Sequence, residues 1–165
     1  MKALVTYYSE SGNTEKLAQA IYDGIELSEK DILPIGEVKD IGGYDLIFCG
    51  FPVQASSLPG KAESFIRNIP QGKKLALFAT HGSLRGGQLA ITAFYYAMSL
   101  APKATILGTF GCRGEVKPGI IEALMKKPEH KGWAIEARSA AGHPDKADLA
   151  DGKEFAGLMA RKAAR

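Results

Sequence analysis

A cluster of small polar side chains, Ser9-Glu10-Ser11-Gly12-Asn13-Thr14, follows the first apolar run of the chain. The apolar run predicts a strand, and the residues after Thr14 have helical periodicity, so the cluster is a strand-to-helix loop. The first amides of a helix lack internal partners and carry partial positive charge, and the hydroxyls of the loop add donors. The loop is therefore predicted to hold a phosphate with no Lys or Arg of its own. On the loop alone, ordinary helix capping remains the alternative.

The loop differs from the two most widespread phosphate-binding motifs. It lacks the three spaced glycines of the dinucleotide fingerprint, and it lacks the Gly-Lys pair of the Walker loop. Both of those nucleotide-binding classes are therefore disfavoured.

Composition narrows the class of protein further. The 165 residues carry a net charge of +3 without a dense Lys/Arg run interleaved with aromatics, so nucleic-acid binding is not expected. No apolar run has the length of a membrane span, and the first residues are not a signal peptide, so we expect a cytoplasmic protein without a membrane partner. Cys49 and Cys112 lie in or at the end of apolar runs without metal-ligand spacing, which indicates buried thiols and no metal site.

Strand and helix patterns alternate along the chain and predict an α/β fold with a parallel sheet covered by helices on both faces. The predicted strands are 2–7, 31–35, 44–50, 75–79 and 104–110, and the predicted helices are 14–27, 60–68, 88–100, 119–126 and 148–164. Pro34 favours an edge position for the second strand. Only residues 36–42 follow that strand, so we expect a single helical turn there. No linker is visible, which indicates one domain over residues 1–165.

Three loops leave the carboxyl ends of predicted strands, at residues 9–14, 51–59 and 80–87. All three are rich in small or polar residues. Ligands of parallel α/β sheets bind beyond the carboxyl ends of the strands. We therefore expect the three loops to form one crevice.

Several segments resemble the flavodoxin family. Ser9-Glu10-Ser11-Gly12-Asn13-Thr14-Glu15 resembles the phosphate loop of that family, and Tyr44–Gly50 resembles its third strand. Phe51-Pro52-Val53 is similar to the flavin-contacting loop of some members. Thr109–Gly114 resembles the end of the fifth strand, and His143-Pro144-Asp145 also recurs before the last helix. The similarity covers nearly the whole chain.

The resemblance implies a three-layer sandwich with a five-stranded parallel sheet of order 2-1-3-4-5 and non-covalently bound flavin mononucleotide (FMN). The first loop would take the phosphate, and the loops at 51–59 and 80–87 would enclose the isoalloxazine ring. In the family, a backbone peptide of the second loop changes orientation on reduction, and here it would lie around Val53 to Ala55. The implied cofactor-binding residues are Ser9, Glu10, Ser11, Gly12, Asn13, Thr14, Pro52, Val53, Gln54, Ala55, Thr80, His81, Gly82, Arg85 and Gly87.

The chain also departs from the family pattern. Gln54 stands where a Trp is often found, and Leu84 and Arg85 stand near the usual Tyr, so the flavin face is expected to be poor in aromatics. The chain is slightly basic where flavodoxins are acidic, and Arg85 is expected beside the ring, where its charge would raise the reduction potential.

Three functions are compatible with these features. The first is an FMN-dependent electron carrier that docks on redox partner proteins. The second is a small FMN oxidoreductase that reduces a small organic substrate on an open flavin face. The third is a non-redox binding module with the same fold. No side chain is assigned a catalytic role.

Other residues have alternative interpretations. His81 either contacts the flavin or a substrate, or bonds to nearby backbone. Trp133 either caps the crevice or fills a surface hollow. The remaining candidates are expected to be core, packing or surface residues: Phe51, Tyr95, Tyr96 and Arg113.

Overall fold

Five parallel strands form one sheet in the computed structural model of the protein, which describes all residues 1–165. The spatial order is β2-β1-β3-β4-β5, which confirms the predicted topology. The strands are β1 (Ala3–Tyr7), β2 (Lys30–Pro34), β3 (Leu46–Pro52), β4 (Lys74–His81) and β5 (Thr105–Arg113).

Six α-helices connect and cover the strands. They are α1 (Asn13–Gly24), α2 (Gly60–Arg67), α3 (Gln88–Leu100), α4 (Pro118–Met125), α5 (Lys131–Arg138) and α6 (Lys146–Ala163). Short 3-10 turns occur at Ile35–Glu37 and Pro128–His130. The first of these is the single turn expected between β2 and β3, and β2 lies at the sheet edge as Pro34 indicated. None of the helices combines the length and the apolar character needed to span a bilayer.

Each face of the sheet has its own hydrophobic core, because successive strand side chains point to opposite faces. Leu46 and Phe48 pack on the face covered by α1 and α6. Ile47 and Cys49, on the alternate positions of β3, pack on the face covered by α2 and α3. Burial on both faces explains why this strand reads as a continuous apolar run.

The last helix covers less of the core than its sequence predicts. Met159 is buried, and Phe155 packs against the core and stacks on Phe110 with ring centroids 5.4 Å apart. The apolar pattern of residues 148–164 predicts that Leu149, Phe155, Leu158 and Met159 are buried, but Leu158 keeps 45% of its surface exposed. This part of the prediction is wrong, because the small residues Ala156, Ala160 and Ala163 share the inward face instead.

Three strands run further at their carboxyl ends than the sequence indicates, and the first of them, β3, ends at Pro52 rather than at Gly50. β4 and β5 continue to the pairs Thr80–Cys112 and His81–Arg113. Thr80 and His81 are therefore strand residues rather than loop residues. The third crevice loop begins at Gly82, since tertiary pairing extends the strands beyond their apolar stretches.

Residues between β5 and α6 form a compact excursion beyond the carboxyl end of the sheet. Its helices α4 and α5 share a small core of Ile121, Ala134 and Ala137. The sequence predicts a short helix near α4 but does not predict α5. We call residues 114–145 the excursion.

Both cysteines are free and buried. Cys49 lies in the core between the sheet and α2/α3, and Cys112 lies in the core beneath α1 and α6. Burial raises the pKa of the Cys112 thiol to about 12, and it also raises the pKa of Cys49. The predicted buried thiols are confirmed.

Candidate functional site

The loop at residues 9–14 joins β1 directly to the first turn of α1. Gly12 is the residue before the helix and has φ 90°, a left-handed conformation that glycine adopts without steric cost. Its amide donates to Ser9 Oγ at 3.1 Å, which closes the loop. No side chain caps α1, so its first amides stay available.

Two threonines fix this loop to the centre of the sheet. Thr14 Oγ1 and Thr80 Oγ1 lie 2.8 Å apart in a hydrogen bond. Their residues are only 1% and 3% exposed. The bond holds the first turn of α1 against the end of β4. It therefore fixes the position of the first loop relative to the start of the third.

A polar cleft of about 180 Å³ lies in front of the loop. Glu10, Ser11, Asn13 and Thr14 line one side of it. The opposite side combines the second loop, the end of β4 and the start of the excursion: Pro52, Val53, Gln54, Thr80, His81, Gly82, Gly114, Glu115, Val116, Lys117 and Ile120. The sequence predicts an anion site without a cation, but the excursion brings Lys117 to the cleft.

Asn13 connects the first loop to the excursion. Its side-chain amide donates to the Glu115 carbonyl at 2.9 Å. Gly114 allows this approach, because a Cβ at that position would lie 2.9 Å from Asn13 Nδ2. The loop is therefore braced by residues about 100 positions away in the chain.

A second, apolar compartment of about 460 Å³ continues from the polar cleft. Its lining residues are Val53, Ala55, His81, Gly82, Ser83, Leu89, Leu124, His130 and Trp133. Val53, His81 and Gly82 line both spaces. The two compartments therefore form one crevice with a polar end and an apolar end, which we call the phosphate cleft and the ring compartment.

The second loop contains a tight hairpin turn beside the ring compartment. Gln54 and Ser57 exchange two backbone hydrogen bonds of 2.9 and 2.8 Å. Ala55 and Ser56, the central residues, have φ 46° and 64°. Such angles are unfavourable for residues with a side chain, so the turn stores strain next to the site. Val53 donates to the Thr80 carbonyl at 2.9 Å, which anchors the turn to β4.

His81 occupies the junction of the two compartments and is 5% exposed. Its Nδ1 lies 3.0 Å from the Ser83 carbonyl oxygen and 3.1 Å from Ser83 Oγ. Burial lowers its pKa, and the nearby Arg113 and Arg85 charges act in the same direction. The imidazole is therefore held neutral at pH 7. The structure joins the two alternatives for His81, since it lines the site and also bonds to the following residues.

Four predicted site residues lie outside the crevice lining: Ser9, Gly12, Arg85 and Gly87. Arg85 points toward β5 and α6, where it donates to the Gly111 carbonyl and pairs with Asp151 at 2.7 Å. Its expected place beside the flavin ring is therefore corrected, because Asp151 draws the guanidinium away. Gly87 precedes α3 and lines neither compartment. Ser9 and Gly12 shape the first loop from behind its lining residues.

Arg113 is half-buried, and its guanidinium is bonded to the protein backbone. It donates to the backbone carbonyls of Gly82, Glu136 and Ser139 at 3.3, 3.0 and 3.1 Å. These bonds tie the third loop to α5. The expectation of a surface arginine is corrected, because carbonyls at the carboxyl end of α5 lie within reach of the end of β5.

The remaining aromatic candidates separate clearly. Phe51 is fully buried in the core, as expected. Tyr95 is 67% exposed, and Tyr96 bonds to Glu63 at 2.9 Å, so neither reaches the crevice. Trp133 lines the ring compartment, which decides between its two interpretations in favour of the crevice.

Several residues that line the crevice lie outside the three loops from which the sequence predicts the site. Leu124, His130 and Trp133 come from the excursion, and Lys117 precedes α4. The helical spacing of Trp133, Ala134 and Ala137 is a weak signal for α5, and it does not show where that helix packs.

His143, Asp145 and Asp148 bring three possible metal ligands within 4.8 Å of one another. The two carboxylates already serve the start of α6. Asp145 accepts from the amides of Ala147 and Asp148, and Asp148 accepts from the amide of Asp145. Helix capping accounts for this cluster.

Comparison with known proteins agrees with this architecture. Residues 4–157 match the flavodoxin domain family. A flavodoxin-like domain-containing protein, BilS, from Clostridioides difficile is 33% identical and covers 99% of this chain and 98% of its own length. A flavodoxin from an archaeon superposes with TM-score 0.67 at 21% identity over the full length of both chains.

Oxidised flavodoxin 2 from Bacillus cereus gives TM-score 0.64 at 24% identity over 98% of this chain and 99% of its own. A flavoprotein from Lactobacillus acidophilus, solved in complex with FMN, gives TM-score 0.53 at 19% identity over 67% of this chain and 92% of its own. The family match and the shared sheet order therefore lead to one conclusion: the chain belongs to the flavodoxin domain family and has its FMN-binding fold.

Proposed function

We propose that this protein binds FMN in the crevice and carries electrons to or from larger redox proteins. The observation that carries the proposal is the continuity of the phosphate cleft with the ring compartment through Val53, His81 and Gly82. FMN has the same polarity along its length, with a charged phosphate at one end and a flat, largely apolar ring at the other.

The residues present fit this cofactor at both ends. The uncapped start of α1 and the Ser11 and Thr14 hydroxyls would donate to the phosphate, and Lys117 adds a positive charge. The ring end has apolar walls. It also contains the indole nitrogen of Trp133, a buried donor without a hydrogen-bond partner in the protein. An unpaired buried donor beside a compartment favours a ligand with acceptor atoms there.

FMN, when bound, supplies the electron chemistry, and the protein supplies orientation and electrostatics. One peptide of the second loop is free to change its orientation when the redox state of the flavin ring changes. In the turn at Gln54–Ser57, the Ala55–Ser56 peptide has neither its carbonyl nor its amide bonded. This peptide can rotate without losing an internal hydrogen bond, whereas the amides of Val53 and Gln54 are both engaged.

Electron carriage is favoured over direct reduction of an organic substrate. The second alternative rests on an open flavin face poor in aromatics, but the aromatic Trp133 lines the ring compartment together with Leu124. The titratable side chains of that compartment are His81 and His130, without the carboxylate or lysine partner that acid-base catalysis commonly uses. We also propose a cytoplasmic location, in keeping with the free thiols of Cys49 and Cys112.

The test begins with the flavin content of the purified protein. We expect one FMN per chain after reconstitution, released on denaturation and identified as the mononucleotide. The FMN-loaded protein, reduced chemically under anaerobic conditions, is then mixed rapidly with cytochrome c as a one-electron acceptor and with a quinone as an organic acceptor.

Fast transfer to cytochrome c, with slow or no turnover of the quinone, supports the carrier role. Absence of FMN binding overturns the proposal and favours a non-redox module. Sustained quinone turnover without transfer to cytochrome c favours the oxidoreductase.

A further inference from the structure

We propose that Trp133 is the aromatic wall of the ring compartment and stacks on the bound flavin ring. This inference rests on the proposed binding of FMN. It assigns to the excursion a role that the second and third loops do not perform in this chain.

The loops themselves supply no aromatic side chain to the ring compartment. The second loop contributes Val53 and Ala55, and Gln54 lines the phosphate cleft. The third loop contributes Gly82 and Ser83, whereas Leu84 is 55% exposed outside the lining. Trp133 is therefore the one large aromatic side chain in the lining of either compartment. The other rings there are the imidazoles of His81 and His130.

Helix α5, which carries Trp133, is held in place on two sides. On one side Ala134 and Ala137 are buried against Ile121 of α4. On the other side the Glu136 carboxylate accepts a 2.6 Å hydrogen bond from the amide of Leu84, and the Glu136 carbonyl accepts from Arg113. The helix is thus bonded directly to the loop that borders the ring compartment, so the indole is positioned before any ligand arrives.

Gly82 permits the close approach of Trp133 to the end of β4. A Cβ at Gly82 would lie 2.6 Å from a Val116 methyl and 3.4 Å from Trp133 Cζ2. The atom next to Cζ2 in the indole carries the bond to Nε1, which has no partner. The indole edge that carries the unpaired Nε1 therefore lies beside Gly82, and both residues line the ring compartment.

The chain contains a single tryptophan, so no other indole contributes to quenching of the bound flavin. FMN titration of apoprotein gives the dissociation constant, and emission of the bound flavin reports contact. An indole touching an excited flavin quenches its emission by donating an electron, and a phenyl ring is much harder to oxidise. The variants are Trp133→Phe and Trp133→Leu, with Ile135→Ala as the control because Ile135 lies on the same helix and is 54% exposed.

We expect weak flavin emission in the wild type and in the control. Trp133→Phe should recover the emission while binding FMN within about threefold of wild type, because a ring still stacks. Trp133→Leu should recover the emission and bind about tenfold more weakly. Circular dichroism of the apoproteins checks folding, and the Phe variant keeps the test decisive if the Leu variant unfolds.

Flavin emission that stays quenched in a folded Trp133→Phe protein would overturn the assignment, as would wild-type affinity in a folded Trp133→Leu protein. Either result leaves FMN binding itself intact. Failure of the wild-type protein to bind FMN is a separate outcome, which removes the proposed function and this inference together.

Discussion

The Thr14–Thr80 hydrogen bond offers the sharpest test of how the crevice is built. The two hydroxyls are buried, 2.8 Å apart, and join α1 to β4. Replacing either threonine by valine keeps the shape but leaves the other hydroxyl buried without its partner. That penalty is about 1–3 kcal/mol, whereas replacing both partners removes the bond and the unpaired group together. We therefore expect the double variant to be destabilised by less than the sum of the two single variants.

The coupling is measured on apoprotein by urea unfolding. With a slope of about 1–3 kcal/mol per molar urea, a loss of about 2 kcal/mol lowers the midpoint by roughly 1 M. Thr92→Val is the matched control, because Thr92 is exposed on α3. Additive effects of the two single variants would refute the reasoning, since a shared buried bond must give a coupling energy. Thr14→Val should also weaken FMN binding, by loss of a hydroxyl in the phosphate cleft.

Three further predictions concern the same crevice. Gly12→Val should abolish measurable FMN binding in a fluorescence titration; open space surrounds the missing Cβ, so the cost comes from the φ of 90° and not from a clash. Lys117→Gln should weaken FMN binding about three- to tenfold and flatten its salt dependence, whereas Lys126→Gln, outside the cleft lining, should not. Burial lowers the pKa of His81 in the folded protein below its value of about 6.5 in the unfolded chain. The contribution of His81 to the free energy of unfolding is therefore fully present above pH 6.5 and is lost as the pH falls toward the folded pKa. We expect His81→Gln to remove this part of the acid destabilisation when the apoprotein is unfolded in urea. Parallel stability profiles for wild type and His81→Gln between pH 5 and 8 would contradict this.

The sequence indicates those features that depend on neighbouring residues in the chain. Short apolar runs indicate the strands, and Pro34 indicates the sheet edge. The phosphate loop is visible because β1, Ser9–Thr14 and α1 are contiguous. Helix α3 is predicted with the bounds that the structure gives it, Gln88–Leu100.

Features that depend on contacts between residues far apart in the chain could not be predicted from the sequence. Arg85 appears in a loop that should face the flavin, but its position is decided by Asp151, 66 residues later in the chain. Trp133 lies in a segment with few strong helix signals, and only the packing of α5 on α4 and the third loop brings it to the ring compartment. Lys117 is likewise delivered by the chain path after β5. The excursion therefore adds Trp133 and Lys117 to a crevice for which the sequence predicts few aromatics and a phosphate loop without a Lys or Arg of its own.

The two buried cysteines lie on opposite faces of the sheet, so their reactivity can be used to measure local opening of each face. Cys49 is sealed in the layer beneath α2 and α3, and Cys112 in the layer beneath α1 and α6. A thiol reagent reaches either sulfur only when its layer separates from the sheet, because reaction requires an accessible thiolate. The labelling rates of the two sulfurs thus measure the opening of the two layers independently. A cofactor that braces α1 against β4 should slow the labelling of Cys112 more than that of Cys49.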